Sequence, residues 1–226
     1  MLRRLIRTAV WTCVIGGLAM AGPAQAQDPR VEIGGTAGWT YSDGVTFSGV
    51  LAGDGNVYNG IEPKDSFSYS LNVGFLANPN LEIGFLFAQQ KSTLQVTGTT
   101  EREVGDQSVD NYHGYVAYNF GDEDAGLRPY FLGGLGVTRY GSVPFSVGGV
   151  SGETEGNSQF STTWGLGVKI FPSPRFAVKL GARWTPTYIK TDSEGWWCDP
   201  YWGCYVVGDA QYSNQFEFAG GLAFRF

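Results

Sequence analysis

The sequence holds one histidine, His113, two methionines and three cysteines in 226 residues, and only 16% of its side chains are charged. A lone histidine leaves metal centres short of ligands and confines any Ser-His-acid relay to one position. Basic residues are scarce as well, 15 against 21 acidic ones, so the electrostatic footprint that a nucleic acid requires is missing. Long apolar runs are nearly absent. Residues 9–21 form one, and it falls short of the ~20 residues that a spanning helix needs.

That run sits behind Arg3, Arg4 and Arg7 and ahead of Ala24-Gln25-Ala26, the order of a secretory leader with a small-x-small cleavage site. Residues 1–26 are therefore expected to be removed, leaving a domain over 27–226. Cys13 lies inside the apolar stretch and not just after a cleavage site, so a lipid anchor there is not expected. The leader takes three arginines and no acids, which leaves 12 basic against 21 acidic residues, a net charge of −9. Any later crossing of a membrane has to be made by strands.

What the chain has in quantity is glycine, 34 residues, and aromatic side chains, 15%, arranged with period two. Eight alternating segments can be marked, at 31–42, 66–76, 81–91, 109–120, 128–140, 159–171, 175–189 and 215–226. In the second, Phe67, Tyr69, Leu71, Val73 and Phe75 alternate with Ser66, Ser68, Ser70 and Asn72. In the last, Phe216, Phe218, Leu222, Phe224 and Phe226 alternate with Gln215, Glu217, Ala219, Gly221, Ala223 and Arg225. Each is about the ~9–11 residues that a tilted strand needs to cross a bilayer. In the third segment, Leu94 and Val96 fall out of step with Phe85 and Phe87, which suggests a bulge near Lys91.

The connections alternate in length. Those at 77–80, 121–127 and 172–174 are short and rich in turn formers, whereas 43–65, 92–108, 141–158 and 190–211 are long. Short turns at one end and long loops at the other are the habit of outer-membrane barrels. Tyr and Trp gather near the ends of the apolar rows, as at Trp39, Tyr41, Tyr112, Tyr118, Trp184 and Tyr188, the places of interfacial girdles. A lipocalin-like soluble barrel would put its apolar row inside and charge outside. Here the opposite row is mostly Gly, Ser, Thr and Ala. The fold expected is all-β, an eight-stranded antiparallel transmembrane up-and-down barrel, monomeric, with both termini periplasmic and four long loops outside.

Arg128-Pro129-Tyr130 leading into Gly133-Gly134-Leu135-Gly136-Val137 resembles the fifth strand of the OmpA/OmpX-like outer-membrane β-barrel superfamily. Gly165-Leu166-Gly167-Val168-Lys169 and Arg183-Trp184-Thr185-Pro186-Thr187-Tyr188 are similar to strands of the same group. The resemblance covers the barrel domain only, with no peptidoglycan-binding domain expected, so tethering to the cell wall is not carried over. It implies a fold and leaves function open, because members include structural anchors, adhesins and small channels.

Inward positions carry Glu32, Glu82 and Glu217 against Lys169, Lys179, Arg183 and Arg225. An isolated buried ion costs several kcal/mol to desolvate, so these groups are expected to pair. Lys179 or Arg183 can reach Glu217 on the adjoining strand, and closure sets Glu32 near Arg225. Two readings follow, a salt-bridged plug or a gated pore with charge-set selectivity. The plug is preferred, because an eight-stranded interior is just wide enough for side chains to fill.

Cys198 and Cys204 lie in the last long connection and pass through an oxidising compartment, so a disulfide is expected. Around them stand Trp196, Trp197, Tyr201, Trp202 and Tyr205. These either anchor a protein or glycan surface or pack over the barrel mouth and against lipid headgroups. His113 is assigned inward as a hydrogen-bonded lumen residue. The His-x-Ser pattern of lipid A deacylases is missing, since position 115 is Tyr, although a serine such as Ser92 could approach. No enzyme activity, cofactor or metal is expected. Glu101, Glu103, Asp106, Glu153, Glu155, Asp192 and Glu194 read as solvated loop charge, their spacing unlike a calcium loop. The partners expected are outer-membrane lipid and lipopolysaccharide, and the barrel-assembly machinery through the strand ending at Phe226.

Overall fold

The computed structural model describes residues 30–51, 55–147, 150–153, 156–189, 196–199, 203–206 and 211–226. The leader assigned to residues 1–26 lies outside them. In chain order the strands are β1 (Val31–Ser42), β2 (Val45–Leu51), β3 (Val57–Pro63), β4 (Ser66–Leu76), β5 (Leu81–Gly98), β6 (Arg102–Asn119), β7 (Leu127–Tyr140), β8 (Pro144–Val147), β9 (Val150–Glu153), β10 (Asn157–Ser173), β11 (Phe176–Ile189), β12 (Trp196–Asp199), β13 (Gly203–Val206) and β14 (Gln211–Arg225).

Eight of these strands pair antiparallel in the order β5-β4-β1-β14-β11-β10-β7-β6, and β6 pairs back with β5. The sheet is a closed eight-stranded barrel, which leaves its eight staves without a free edge. Closure between first and last strands runs from Glu32 opposite Arg225 to Ser42 opposite Gln215. It is tied off by Arg30 N–H donating to the Phe226 carbonyl (2.8 Å) and Phe226 N–H donating to that of Val31 (2.9 Å).

Period-two alternation decides which face each residue takes. Phe67, Leu71, Val73 and Phe75 of β4 are exposed, as are Phe216, Phe218, Leu222, Phe224 and Phe226, while Ser68, Ser70, Asn72, Gln215, Glu217 and Arg225 are buried. The polarity of a soluble protein is inverted: the buried set is rich in hydroxyls, amides and ions, and the outside carries an apolar band. Such a surface suits hydrocarbon as its solvent. Rings pair across strands on this outer face, Trp184 stacking on Phe216 at 6.1 Å and Tyr41 meeting Phe218 edge-on at 6.2 Å.

The short turns lie together at one end with Arg30 and Phe226, here the turn end. In the β4–β5 turn, Asn78 Oδ1 accepts from the N–H groups of Asn80 (2.9 Å) and Leu81 (2.8 Å), an Asx turn. Asn80 then donates from Nδ2 to the Asn119 carbonyl at 2.7 Å, joining this turn to the next.

At the opposite, loop end the structure departs from the sequence reading. The stretch 92–108 is not a loop: β5 and β6 continue as one tall ribbon, and only residues 99–101 connect them. Nor is there a bulge at Lys91. Inward parity runs unbroken through Ala88, Gln90, Ser92, Leu94 and Val96, all buried. Leu94 and Val96 are apolar because the inside of the sheet becomes apolar above the barrel, where Tyr58, Val96, Ile61 and Val104 form a small cluster. The register does shift, but between Leu94 and Gln95, leaving Val104 as the extra residue on β6. Here β3 replaces β4 as the neighbour of β5, Ile61 opposite Val96, and β2 pairs on β3. Part of the 43–65 connection is thus sheet. Within 141–158 and 190–211 lie the small hairpins β8-β9 and β12-β13.

Candidate functional site: the barrel lumen

Each of the eight staves contributes to a cross-lumen network near the turn end. Lys169 of β10 donates from Nζ to Glu32 Oε1 of β1 and to Glu82 Oε2 of β5, both at 2.7 Å. Arg225 Nε of β14 donates to Glu32 Oε2 at 2.9 Å, and Lys179 Nζ of β11 stands 3.7 Å from Glu32 Oε1. Tyr115 of β6 gives its hydroxyl proton to Glu82 Oε1 (2.5 Å), and Lys179 donates to Asn72 Oδ1 of β4 (3.2 Å). Tyr130 of β7 lies between the two lysines, each ammonium 5.7 Å from its ring centre. Side chains of Glu32, Glu82 and Lys169 are at most 1% exposed. Shared hydrogen bonds are what make burial of such ions tolerable.

Small residues permit this crossing. A Cβ on Gly181 would lie 2.7 Å from the Tyr130 hydroxyl, and one on Gly167 only 2.8 Å from it. The ring lies across the barrel because those two staves present no side chain.

Toward the loop end, Arg183 Nη2 donates to Glu217 Oε2 at 2.7 Å, between residues directly opposite on β11 and β14. Ser68 adds its hydroxyl to the same carboxylate oxygen at 3.0 Å. Of the two candidates for Glu217, it is Arg183 that reaches it; Lys179 turns to Asn72 and Glu32. Between the two ionic groups lies a cavity of about 60 Å³, bordered by Ser70, Leu132, Gly165, Lys179, Ala182 and Arg183.

Above Arg183 the interior is filled by neutral groups. Asn111 Nδ2 donates to Gln215 Oε1 (3.0 Å), Gln215 Nε2 to Gln90 Oε1 (2.9 Å), and the Ser42 hydroxyl to the same oxygen (3.0 Å). Thr187 donates to Thr138 (3.0 Å), which donates to Asn111 Oδ1 (2.6 Å).

His113 is wholly buried within this layer, with Nε2 2.9 Å from Ser161 Oγ. Its other ring nitrogen, Nδ1, has no hydrogen-bond partner, so no acid orients the imidazole as a relay would require. The serine that meets it is Ser161, not Ser92, whose hydroxyl bonds the Lys64 carbonyl at 2.5 Å.

As a lumen charge, Arg128 escaped the sequence reading. It is fully buried, on the inward parity of β7, and opposite Lys169 in register. Parity with Tyr130 was the available signal, masked by its position at the strand's start. Tyr115 and Tyr130 were also missed as members of the network, because uncharged lumen residues look alike in sequence.

The backbone register of β12 and β13 sets Cys198 opposite Cys204 and Trp197 opposite Tyr205. Tyr201, Trp202, Glu155, Asp192 and Glu194 lie outside the described residues. Glu103 pairs with Lys64 at 2.8 Å, an exposed contact that raises the Lys64 ammonium pKa above its ordinary value, the hydrogen bond first and Coulomb attraction second. Among the described residues, no His, Cys, Asp and Glu group gathers into a metal centre.

Three solved structures share this architecture. Neisserial surface protein A aligns with a TM-score of 0.53 at 14% identity, over 87% of this chain and 97% of that one. The outer membrane protein AlkL, determined in DMPC bilayers, gives 0.52 at 13%, over 92% and 97%. OprG from Pseudomonas aeruginosa gives 0.51 at 12%, over 88% and 97%. Identities this low speak to fold alone. No curated protein matches the sequence. Residues 11–226 match the family described as the outer membrane protein beta-barrel domain. With apolar side chains turned outward and ions turned in, the chain belongs to that outer-membrane β-barrel family.

Proposed function

We propose that this outer-membrane barrel does not conduct, and serves as a structural or surface-interaction protein through its external loops. The observation that carries this reading is Lys169, whose ammonium ties β10 to β1 and β5 across the lumen at 2.7 Å each. The amide and hydroxyl layer around Gln90, Asn111 and Gln215 supports it from the other side. In this reading a leader over residues 1–26 directs export, both termini are periplasmic, and the long connections face outward. The barrel stands as a monomer among lipid and lipopolysaccharide, and the assembly machinery engages the last strand at Phe226. The Cys198–Cys204 hairpin is closed by a disulfide, and Trp196, Trp197, Tyr201, Trp202 and Tyr205 form its contact surface.

Single-channel recording in a planar bilayer tests the reading, after a heat-modifiability gel confirms that the refolded protein is native. Silence is expected. Discrete openings that change in Arg183→Ala or Glu217→Ala would replace it with the second reading, a small-solute or ion channel. That alternative draws on the 60 Å³ cavity between the ionic groups. Lipid-modifying activity is disfavoured by the buried His113 and its unpartnered Nδ1. Unchanged lipid A in cells carrying His113→Ala is the expected result.

A further inference from the structure

Among the described residues, the charges inside the barrel do not balance. Glu32, Glu82 and Glu217 face Lys169, Lys179, Arg183, Arg225 and Arg128, three carboxylates against five cations. Glu32 already serves Lys169, Arg225 and, at 3.7 Å, Lys179. Glu217 serves Arg183, and Glu82 serves Lys169. Nothing remains for Arg128, which makes no ion pair among the described residues.

Arg128 is 0% exposed. Its hydrogen bonds go from Nη2 alone, to the carbonyls of Pro79 (2.8 Å) and Asn119 (3.5 Å). Nε and Nη1 are buried without partners, and so are Nη2 of Arg225 and the side-chain amide of Asn119. Arg225, its charge felt at Arg128, is held from one side by Glu32 and lies over the Phe171 ring at 4.3 Å. A guanidinium remains charged at any accessible pH. Uncompensated burial of one, with unsatisfied N–H groups, is among the most destabilising arrangements a protein interior can hold.

We propose that the turn end of the lumen binds a small inorganic anion of chloride size, held by Nε and Nη1 of Arg128 with Arg225 and Asn119 beside it. Water could satisfy the N–H groups but would leave the charge excess of two. A halide satisfies the same N–H groups and cuts that excess from two charges to one, adding to the ionic layer begun by Glu32 and Glu82. Asp122 and Glu123 of the β6–β7 turn also act on Arg128 electrostatically, but both are exposed, and neither forms an ion pair with it. They are the rival source of compensation.

The test is bromide in place of chloride. Crystals of the refolded barrel grown in sodium bromide, measured at the bromine edge, are expected to show an anomalous peak within hydrogen-bond distance of Arg128 Nε and Nη1. The peak should persist in Asp122→Asn/Glu123→Gln. In parallel, replacing gluconate with bromide at constant ionic strength is expected to raise the thermal unfolding midpoint of the wild type by several degrees. Arg128→Gln should lose that dependence. A water without anomalous signal at Arg128 would overturn the proposal. So would a bromide shift of equal size in Arg128→Gln. If that variant does not fold, the wild-type anomalous map decides alone.

Discussion

Replacing Lys169 with methionine removes the cation that bridges Glu32 and Glu82 across the barrel while keeping side-chain length. Glu32 would retain Arg225 at 2.9 Å and Lys179 at 3.7 Å. Among the described residues, Glu82 would retain only the Tyr115 hydroxyl at 2.5 Å. One carboxylate is thus stripped of its ion partner and the other is not. The expected loss is about 3 kcal/mol, the lower end of what breaking a buried pair costs. Glu82→Gln touches the same contact from the other side, but Lys169 keeps Glu32, so about 1–2 kcal/mol is expected. In the double variant no ion at this contact lacks a partner. Its cost should fall short of the summed singles by about 1–2 kcal/mol, as for residues in one network. Urea unfolding of the barrel in lipid vesicles, followed by tryptophan fluorescence, measures all three. A Lys169→Met cost below about 0.5 kcal/mol, or additivity within ~0.5 kcal/mol, would refute the network.

Gly181→Ala should destabilise by about 1–3 kcal/mol, since its methyl would press on the Tyr130 hydroxyl at 2.7 Å. Gly114→Ala, whose nearest neighbour would be the Leu135 carbonyl at 4.0 Å, should change stability by less than about 0.5 kcal/mol; the same urea titration compares them. Thiol labelling of protein taken from the outer membrane should find Cys198 and Cys204 unreactive until a reductant is added. Labelling before reduction would remove the disulfide. Phe226→Ala should reduce the amount of folded barrel recovered from cells while barely altering stability of the refolded protein, because Phe226 is 61% exposed. A parallel loss in refolded stability would assign Phe226 to barrel energetics instead of recognition.

The terminal strand shows what local chemistry can specify. Side chains alternate across a strand whatever it pairs with, so Phe216, Phe218, Leu222 and Phe224 had to share a face opposite Glu217 and Arg225. Parity also held beyond the point where sequence reading ended β5. Leu94 and Val96 looked out of step only because apolar residues were taken to mean lipid. Above the barrel, the inward side meets Tyr58 and Ile61 instead of the polar lumen, so polarity reverses while geometry continues. The hairpin β2-β3 makes this intelligible, and it depends on pairing with a strand more than thirty residues away in sequence.

The sequence by itself determined a strand-built membrane barrel, its two faces, and a lumen holding ions of both signs. These follow from side-chain period and hydropathy, which are properties of neighbours along the chain. Only tertiary structure decided who meets whom. Lys169 finds Glu82 across 87 residues and Glu32 across 137, because closing eight staggered strands brings distant residues to one height. The same closure left Arg128 facing inward without a carboxylate among the described residues. No local pattern encodes that, since it depends on how three acids are shared among five bases inside a ring.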